Sequence, residues 1–131
     1  MTAEPIAFRT TLEVSYAQAL ERVIGALKDE GFGVLTSVDV KKTMKDRMNA
    51  EFRAYTIIGA CNPALSQRAF HENLEAGLVL PCNVIVYDKD GRTEVAIADP
   101  IVMMSTLNDP ALDPVAREAK AKLERVMASL S

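Results

Sequence analysis

Cys61 is the side chain in this sequence best suited to covalent chemistry. It lies in Gly59-Ala60-Cys61-Asn62-Pro63, where small residues end a strand-like run and Asn-Pro is typical of a helix start. Unpaired amides and the dipole at a helix N-terminus favour negative charge, so Cys61 is a candidate nucleophile held partly as thiolate. The alternative is a small buried residue beside a helix start. We favour this alternative because the sequence shows no adjacent base.

The second cysteine lies in Leu80-Pro81-Cys82-Asn83. Pro81 has no amide donor and therefore marks a strand entry, a bulge or an edge. A disulfide between Cys61 and Cys82 is geometrically possible, since the two lie on neighbouring elements in many layouts. If Cys61 reacts, Cys82 is the candidate resolving thiol. The spacing differs from the C-x-x-C of thioredoxin-like sites, and cytosolic disulfides are rare. We therefore expect two free thiols.

His71 is the only histidine. It lies ten residues after Cys61, about 15 Å along a continuous helix, which is too far for a Cys-His pair. A metal site built from Cys61, His71 and Cys82 would lack a fourth ligand and the clustered spacing of structural zinc, so we predict no metal site. His71 is expected at the surface.

Basic side chains are concentrated from Lys41 to Arg47, with Arg53 beyond them. Between Asp39 and Arg53 there are five positive and three negative charges, which indicates a solvated helix face more than an anion site. No glycine-rich phosphate loop or G-x-G-x-x-G motif is present. The carboxylates of Asp39, Glu75 and Asp99 are scattered, so no acid–base pair is predicted.

Composition sets the class of protein. The 131 residues contain 15 basic and 18 acidic side chains, with 49% hydrophobic and 25% charged residues. These values are typical of one globular domain, residues 1–131. The net charge of −3 argues against nucleic-acid binding, and no run of 18 apolar residues indicates a membrane span. The first five residues lack a signal-peptide pattern, so we expect a cytoplasmic protein.

Hydrophobic periodicity, caps and turn residues predict nine elements. They are a strand Ile6–Leu12; a helix Tyr16–Leu27, capped by Ser15 with Gln18 and stopped by Gly31; a strand Phe32–Val40; a short helix after Asp39 with an edge of Val40, Met44 and Met48; a strand Tyr55–Ala60; a helix from Pro63 to about Asn73; a strand Leu78–Tyr87; a strand Arg92–Ala98; and a closing helix capped by Asp113 and Pro114.

The order β-α-β-α-β-α-β-β-α contains one secure hairpin, in which Gly91 suits the positive-φ position of the turn. Irregular alternation with a hairpin favours an α+β fold, a largely antiparallel sheet with helices packed on one face, over a doubly wound parallel sheet. The four consecutive apolar residues Ile101–Met104 place apolar side chains on both sides of the element that they form. We interpret them as an element buried on both sides, in a subunit interface.

Several segments together resemble the bacterial and archaeal family called domain of unknown function 302. They are Gly31–Thr36, Asp39–Lys41 with Thr43 and Lys45, Tyr55 with Ile58–Pro63, Gly77-Leu78 with Leu80–Val84, and Asp99-Pro100. The resemblance spans about residues 5 to 130. It implies a compact α+β homodimer without an established activity, and it marks the signature residues Cys61, Asn62, Pro63, Pro81, Cys82 and Asn83.

Two functions follow as hypotheses, and no cofactor can be named. The first is a dimeric module that binds a small ligand or a protein partner at a polar site formed by the six signature residues. The second is a thiol-dependent redox or sulfur-handling enzyme, with Cys61 as nucleophile and Cys82 as resolving thiol. A purely structural interaction domain is a third reading, favoured if Ile101–Met104 is buried between subunits and no polar pocket exists.

Overall fold

Five strands and five α-helices make up the fold of residues 5–130, the part of the chain that the computed structural model describes. The elements are β1 Ala7–Leu12, α1 Tyr16–Asp29, β2 Gly33–Asp39, α2 Val40–Met48, β3 Tyr55–Cys61, α3 Pro63–Glu72, β4 Cys82–Lys89, β5 Arg92–Ala98, α4 Pro100–Ser105 and α5 Asp113–Ser129, with short 3₁₀ turns at Leu74–Leu78 and Pro110–Leu112.

The strands form one sheet in the order β1-β5-β4-β3-β2, and every neighbouring pair is antiparallel. The β4–β5 hairpin turns at Asp90-Gly91, where both residues have positive φ, 55° and 86°. Such a two-residue turn matches the right-handed twist of its strands. The predicted α+β class and the hairpin are confirmed.

The two faces of the sheet differ in burial. On one face, alternate residues of β3, β4 and β5 are buried against α1, α3 and α5 and form the core; among them Ile58, Val84 and Ile97 are completely buried. On the opposite face, Tyr55, Ile57, Ile85 and Tyr87 are only half-buried. We call this second side the open face.

The predicted helix starts at Ser15, Asp39 and Asn62 are confirmed. The Ser15 hydroxyl accepts from the Gln18 amide at 3.2 Å, while the Gln18 side chain accepts from the Ser15 amide at 3.3 Å. Asp39 accepts from the Lys42 amide at 3.0 Å. These bonds satisfy amides that a helix leaves without partners in its first turn.

The residues after Asp99 differ from the prediction. They form a helix, α4, whose N-cap is Asp99 and whose first residue is Pro100. Met104 is buried in the core of its own chain and Ile101 is 37% exposed in the single chain, so burial of this segment in a subunit interface stays a prediction. One helical turn points successive side chains in different directions, and only part of it can face the core.

Other boundaries also shift. Asp113 lies inside the first turn of α5 and makes no capping bond, because a 3₁₀ turn capped by Asp109 leads directly into that helix. Strand β4 begins at Cys82 and not at Leu78, which belongs to the preceding 3₁₀ turn. Ile24 is exposed, and alanines complete the buried face of α1.

Candidate functional site

The two cysteines lie at neighbouring strand ends. Cys61 ends β3 and Cys82 begins β4, and Ala60 is the register partner of Cys82. Both cysteines are free thiols, as expected. The sheet therefore brings together the two cysteine segments that are 21 positions apart in the sequence.

The Cys61 thiol is partly exposed and lies 3.3 Å from the hydroxyl oxygen of Ser66. The Ser66 amide in the first turn of α3 donates to the carbonyl oxygen of Asn62 at 2.9 Å. Pro63, the first residue of the helix, has no amide hydrogen, and the Leu65 amide donates to the Asn62 side chain at 3.3 Å. The hydrogen-bond partner of Cys61 is thus a hydroxyl and not the array of helix amides that the sequence indicated.

The Cys82 thiol is buried between the sheet and the helices. Burial, together with the nearby Cys61 thiol, raises its pKa to about 11. Desolvation disfavours the charged form of an acid, so Cys82 stays protonated at neutral pH.

Asn62 joins α3 to the end of α1. Its side-chain oxygen caps α3, while its amide nitrogen donates to the carbonyl oxygen of Glu30 at 3.3 Å. Gly31 has a φ of +85°, and a Cβ added there would lie 3.0 Å from the Asn62 nitrogen. The buried Asn62 amide is therefore used by the fold on both of its atoms.

Gly59 and Pro81 bring the two cysteine segments into contact. A Cβ at Gly59 would lie 2.8 Å from Cγ of Pro81 and would also collide with the Thr36 hydroxyl. The Leu80–Pro81 peptide bond is cis. Only glycine leaves room for this approach of β2, β3 and the segment before β4.

A cleft of about 260 Å³ opens at this end of the sheet. Its wall comes from the segment before β4, the end of β5 and helix α4, and the residues are Leu78, Val79, Leu80, Pro81, Cys82, Asn83, Ala98, Pro100, Met103 and Met104. We call it the end cleft. Asn83 is exposed and supplies the one polar amide side chain of the lining, in which backbone polar atoms and apolar side chains contribute similar amounts of surface.

The six predicted site residues divide into two groups. Pro81, Cys82 and Asn83 line the end cleft. Cys61, Asn62 and Pro63 do not line it, although Asn62 and Cys82 share the wall of a void of about 10 Å³ on the core side.

Sequence reasoning missed Ser66, the partner of Cys61. The residue before an N-cap commonly contacts the fourth residue of the helix, so the spacing from Cys61 to Ser66 held that signal. It also missed the contribution of Met103 to the end cleft. No local pattern indicates that contribution, because it depends on the placement of α4 against β4.

Asp99, expected only as one of three scattered carboxylates and as part of the Asp99-Pro100 segment, is buried and has a structural role. Its side chain caps α4 by accepting from the Ile101 amide at 2.9 Å, and it forms an ion pair with the Lys120 ammonium group of α5 at 3.0 Å. Lys120 also lies 5.7 Å from the ring centroid of Phe8. Asp99 thereby connects β5, α4 and α5 beside the end cleft.

His71 is exposed in the last turn of α3, as predicted. Within residues 5–130, no three His, Cys, Asp or Glu side chains are grouped in a way that could hold a metal ion. In the same part of the chain no helix is long and apolar enough to cross a membrane. The basic side chains of α2 are exposed, and Lys42 pairs with Asp46 at 2.6 Å.

This chain matches a known family model and a solved structure. The family model Domain of unknown function DUF302 matches residues 8–130. The chain is similar to the crystal structure of an uncharacterized conserved DUF302 protein from Bacillus stearothermophilus, with 30% identity, 95% of each chain covered and a TM-score of 0.84. No curated protein matches. The chain therefore belongs to the family described as Domain of unknown function DUF302.

Proposed function

We propose that this protein is a cytoplasmic, homodimeric binding module that holds a small molecule with both apolar and polar groups in the end cleft. The observation that carries the proposal is the end cleft itself, which coincides with the Leu-Pro-Cys-Asn segment. Concave sites that combine apolar walls with a few placed polar groups are typical of small-molecule binding. A volume of about 260 Å³ suits a molecule smaller than most drugs.

Asn83 is the polar anchor of the proposed site. Its amide can donate and accept, so it can hold a carbonyl, hydroxyl or amide group of the bound molecule. Pro81 and Cys82 shape the apolar wall beside it. Cys61, Asn62 and Pro63 lie at the adjacent strand end, next to Ala60, the register partner of Cys82.

Two further observations support the homodimeric and cytoplasmic parts of the proposal. The open face is apolar in part and is not covered by α1, α3 or α5. Cys61 and Cys82 are neighbouring free thiols, a state that reducing compartments maintain.

Native mass spectrometry and a fluorescence titration test the binding function together. Protein purified without added ligand is expected to carry a small molecule, and the stripped protein is expected to bind the apolar dye anilinonaphthalene sulfonate. Asn83→Leu should lose the bound molecule. Gln67→Leu, an exposed substitution on α3, is the control and should retain it. Two results together would contradict the proposal. Wild-type protein would carry no bound molecule, and its dye binding would be unchanged by Ala98→Phe, which fills the end cleft.

Thiol chemistry is the second candidate, favoured by the partial exposure of Cys61 and its neighbour Cys82. In thiol–disulfide exchange, the Cys61 thiolate would attack a partner disulfide and release one partner thiolate. Cys82 would then displace the partner from Cys61. The pKa of about 11 for Cys82 leaves about one molecule in ten thousand as thiolate at pH 7, which makes this second step slow. We therefore rank this function below ligand binding.

A further inference from the structure

A groove lies across the part of the open face that β1, β5 and β4 form, and α4 closes one of its ends. We call it the face groove. Its volume is about 330 Å³, which lies within the range of small-molecule sites. The face groove meets the end cleft at Asn83, Ala98 and Met103, and the rest of its lining is separate from the end cleft.

The floor of the face groove is apolar because short side chains meet there. Ala96 of β5 is the register partner of Ile85, and Ala98 is the register partner of Ala7. A methyl group is shorter than the neighbouring side chains, so the alanines leave a depression that Ile85 and Met103 border. An apolar group of a bound molecule can be buried in this depression.

Two charged side chains of opposite sign, Arg9 and Glu94, line the face groove, and no other lining residue is charged at neutral pH. The register pairs Arg9 with Ala96 and Thr11 with Glu94. Arg9 and Glu94 are therefore diagonal neighbours on one face of the sheet, at a spacing of roughly 7–8 Å. A cation and an anion thus lie side by side at the end of the groove nearer the hairpin turn.

These two charges do not neutralise each other. Among residues 5–130, Arg9 and Glu94 form no ion pair with each other. The Glu94 carboxylate accepts from the Thr11 hydroxyl at 2.8 Å, and Arg9 donates to the Ala7 carbonyl oxygen at 3.3 Å. The other charged residue of β5, Arg92, is engaged in a different ion pair at 3.8 Å. A guanidinium has five donors and a carboxylate has about four acceptor positions, so both groups can bind a further partner.

From this geometry we infer that the face groove binds a free amino acid with a large apolar side chain. The carboxylate of the amino acid pairs with Arg9, its ammonium group pairs with Glu94, and its side chain lies over Ala96. A zwitterion is selected over a simple acid or amine, because a molecule with one charge leaves either Arg9 or Glu94 without a partner. The inference goes beyond the proposed function, since Arg9 and Glu94 do not line the end cleft.

An aromatic amino acid suits the wall beside Glu94. Tyr87 is the register partner of Glu94, and its ring stacks on the ring of Tyr55 with 5.0 Å between centroids. The Tyr87 ring therefore has a defined position in the wall of the face groove. Aromatic rings pack favourably against one another in offset or edge-to-face geometry, so free phenylalanine is the probe for this site.

Isothermal titration calorimetry of the full chain compares four molecules. They are phenylalanine, phenylpropanoate, which lacks the ammonium group, phenylethylamine, which lacks the carboxylate, and glycine, which lacks the side chain. Phenylalanine should bind most tightly. Each singly charged analogue should bind about threefold more weakly, because exposed ion pairs are individually weak. Glycine should not bind, since it has no apolar group for the floor.

Two variants assign each charge of the ligand to its partner. Arg9→Met and Glu94→Gln should each weaken phenylalanine binding about threefold. Arg9→Met should leave the affinity for phenylethylamine unchanged, and Glu94→Gln should leave the affinity for phenylpropanoate unchanged. The matched controls, Arg22→Met and Glu21→Gln at exposed positions of α1, should bind phenylalanine as the wild type does. Circular dichroism checks that each variant is folded.

Three results would overturn the inference. They are a wild-type chain that binds none of the four molecules at millimolar concentration, equal affinities for phenylalanine and phenylpropanoate, and phenylalanine affinities that are the same in Arg9→Met and Glu94→Gln as in their controls. The end cleft is judged separately. Phenylalanine binding in a chain whose end cleft fails its own test would contradict only the proposed function, and the reverse result would contradict only this inference.

Discussion

Gly59 of β3 lies against the ring of Pro81, and a Cβ on Gly59 would be 2.8 Å from Cγ of Pro81. This contact joins the two cysteine segments at one end of the sheet. Pro81 can occupy its position in the wall of the end cleft only because Gly59 has no side chain.

Replacing Gly59 by alanine should therefore destabilise the protein. The added methyl group collides with Pro81 and with the Thr36 hydroxyl, and overpacking of this kind costs about 1–3 kcal/mol of unfolding free energy. Urea unfolding measures the change. Gly25→Ala is the control, since nothing lies within 4 Å of its added Cβ inside α1, and it should stabilise by about 0.5–1 kcal/mol. Equal midpoints for the two variants would contradict the contact.

Asn62→Ala should lower the unfolding free energy by about 1–2 kcal/mol, because it removes the cap of α3 and the bond to the Glu30 carbonyl. Asn62→Asp keeps the acceptor for the Leu65 amide but loses the donor. The unfolding free energy of Asn62→Asp should be lower than that of wild type, since the Glu30 carbonyl then faces a carboxylate. Thermal unfolding of the two variants at pH 7 measures the cost of each bond, and full stability of Asn62→Asp would show that the donor bond contributes nothing.

Alkylation against pH distinguishes the two thiols. Cys82 should stay unmodified by iodoacetamide in the native protein at pH 8, since it is buried and its pKa is about 11. Cys61, which is partly exposed, should react first. Peptide mass spectrometry after quenching assigns each site. Modification of Cys82 before Cys61 would contradict this assignment, and rapid reaction of Cys61 well below pH 8 would favour the thiol enzyme.

The raised pKa of Cys82 also predicts how stability changes with pH. A buried thiol with a pKa near 11 binds its proton more tightly in the folded than in the unfolded chain, where the value is near 9.0. The contribution is fully present below pH 9 and is lost as the pH rises from 9 to 11, because the unfolded chain then binds fewer protons. Cys82→Ala should remove up to about 2 kcal/mol of this alkaline loss. Identical alkaline profiles for wild type and variant would show that the thiol does not contribute.

Asp99→Ala should destabilise by about 2 kcal/mol, since it removes the cap of α4 and the ion pair between the Asp99 carboxylate and Lys120. Chemical unfolding measures this loss. The matched control, Asp46→Ala, breaks an exposed pair with Lys42 and should leave stability unchanged. A similar small effect of both substitutions would mean that burial adds nothing to the Asp99 pair.

Local signals predicted much of the fold. The hairpin at Asp90-Gly91 and the helix starts at Ser15 and Asn62 depend on residues within four positions of one another, and each agrees with the structure. Helix α4 was missed although Asp99-Pro100 repeats the pattern of Asn62-Pro63, an N-cap followed by proline. Both dipeptides follow directly on a strand, so the same local signal for a helix start was present at Asp99-Pro100.

The site was predictable only in part. Sequence indicated the segments around Cys61 and Cys82, but their separation into a helix start and a cleft depends on strand order. The bond from Asn62 to Glu30 joins residues 32 positions apart, and no local pattern encodes it. The exposure of β2 was also hidden, because alternating residues fit an exposed strand as well as a half-buried one.

The position of β1 has a consequence for synthesis of the chain on the ribosome. This strand pairs only with β5, Ala7 opposite Ala98 and Leu12 opposite Thr93, more than 80 residues later in the sequence. Closing such a long loop is entropically slow, and contacts of this separation form late. Strand β1 therefore waits without its partner until the hairpin has been translated, and the sheet is completed only after Ala98 has been added to the chain.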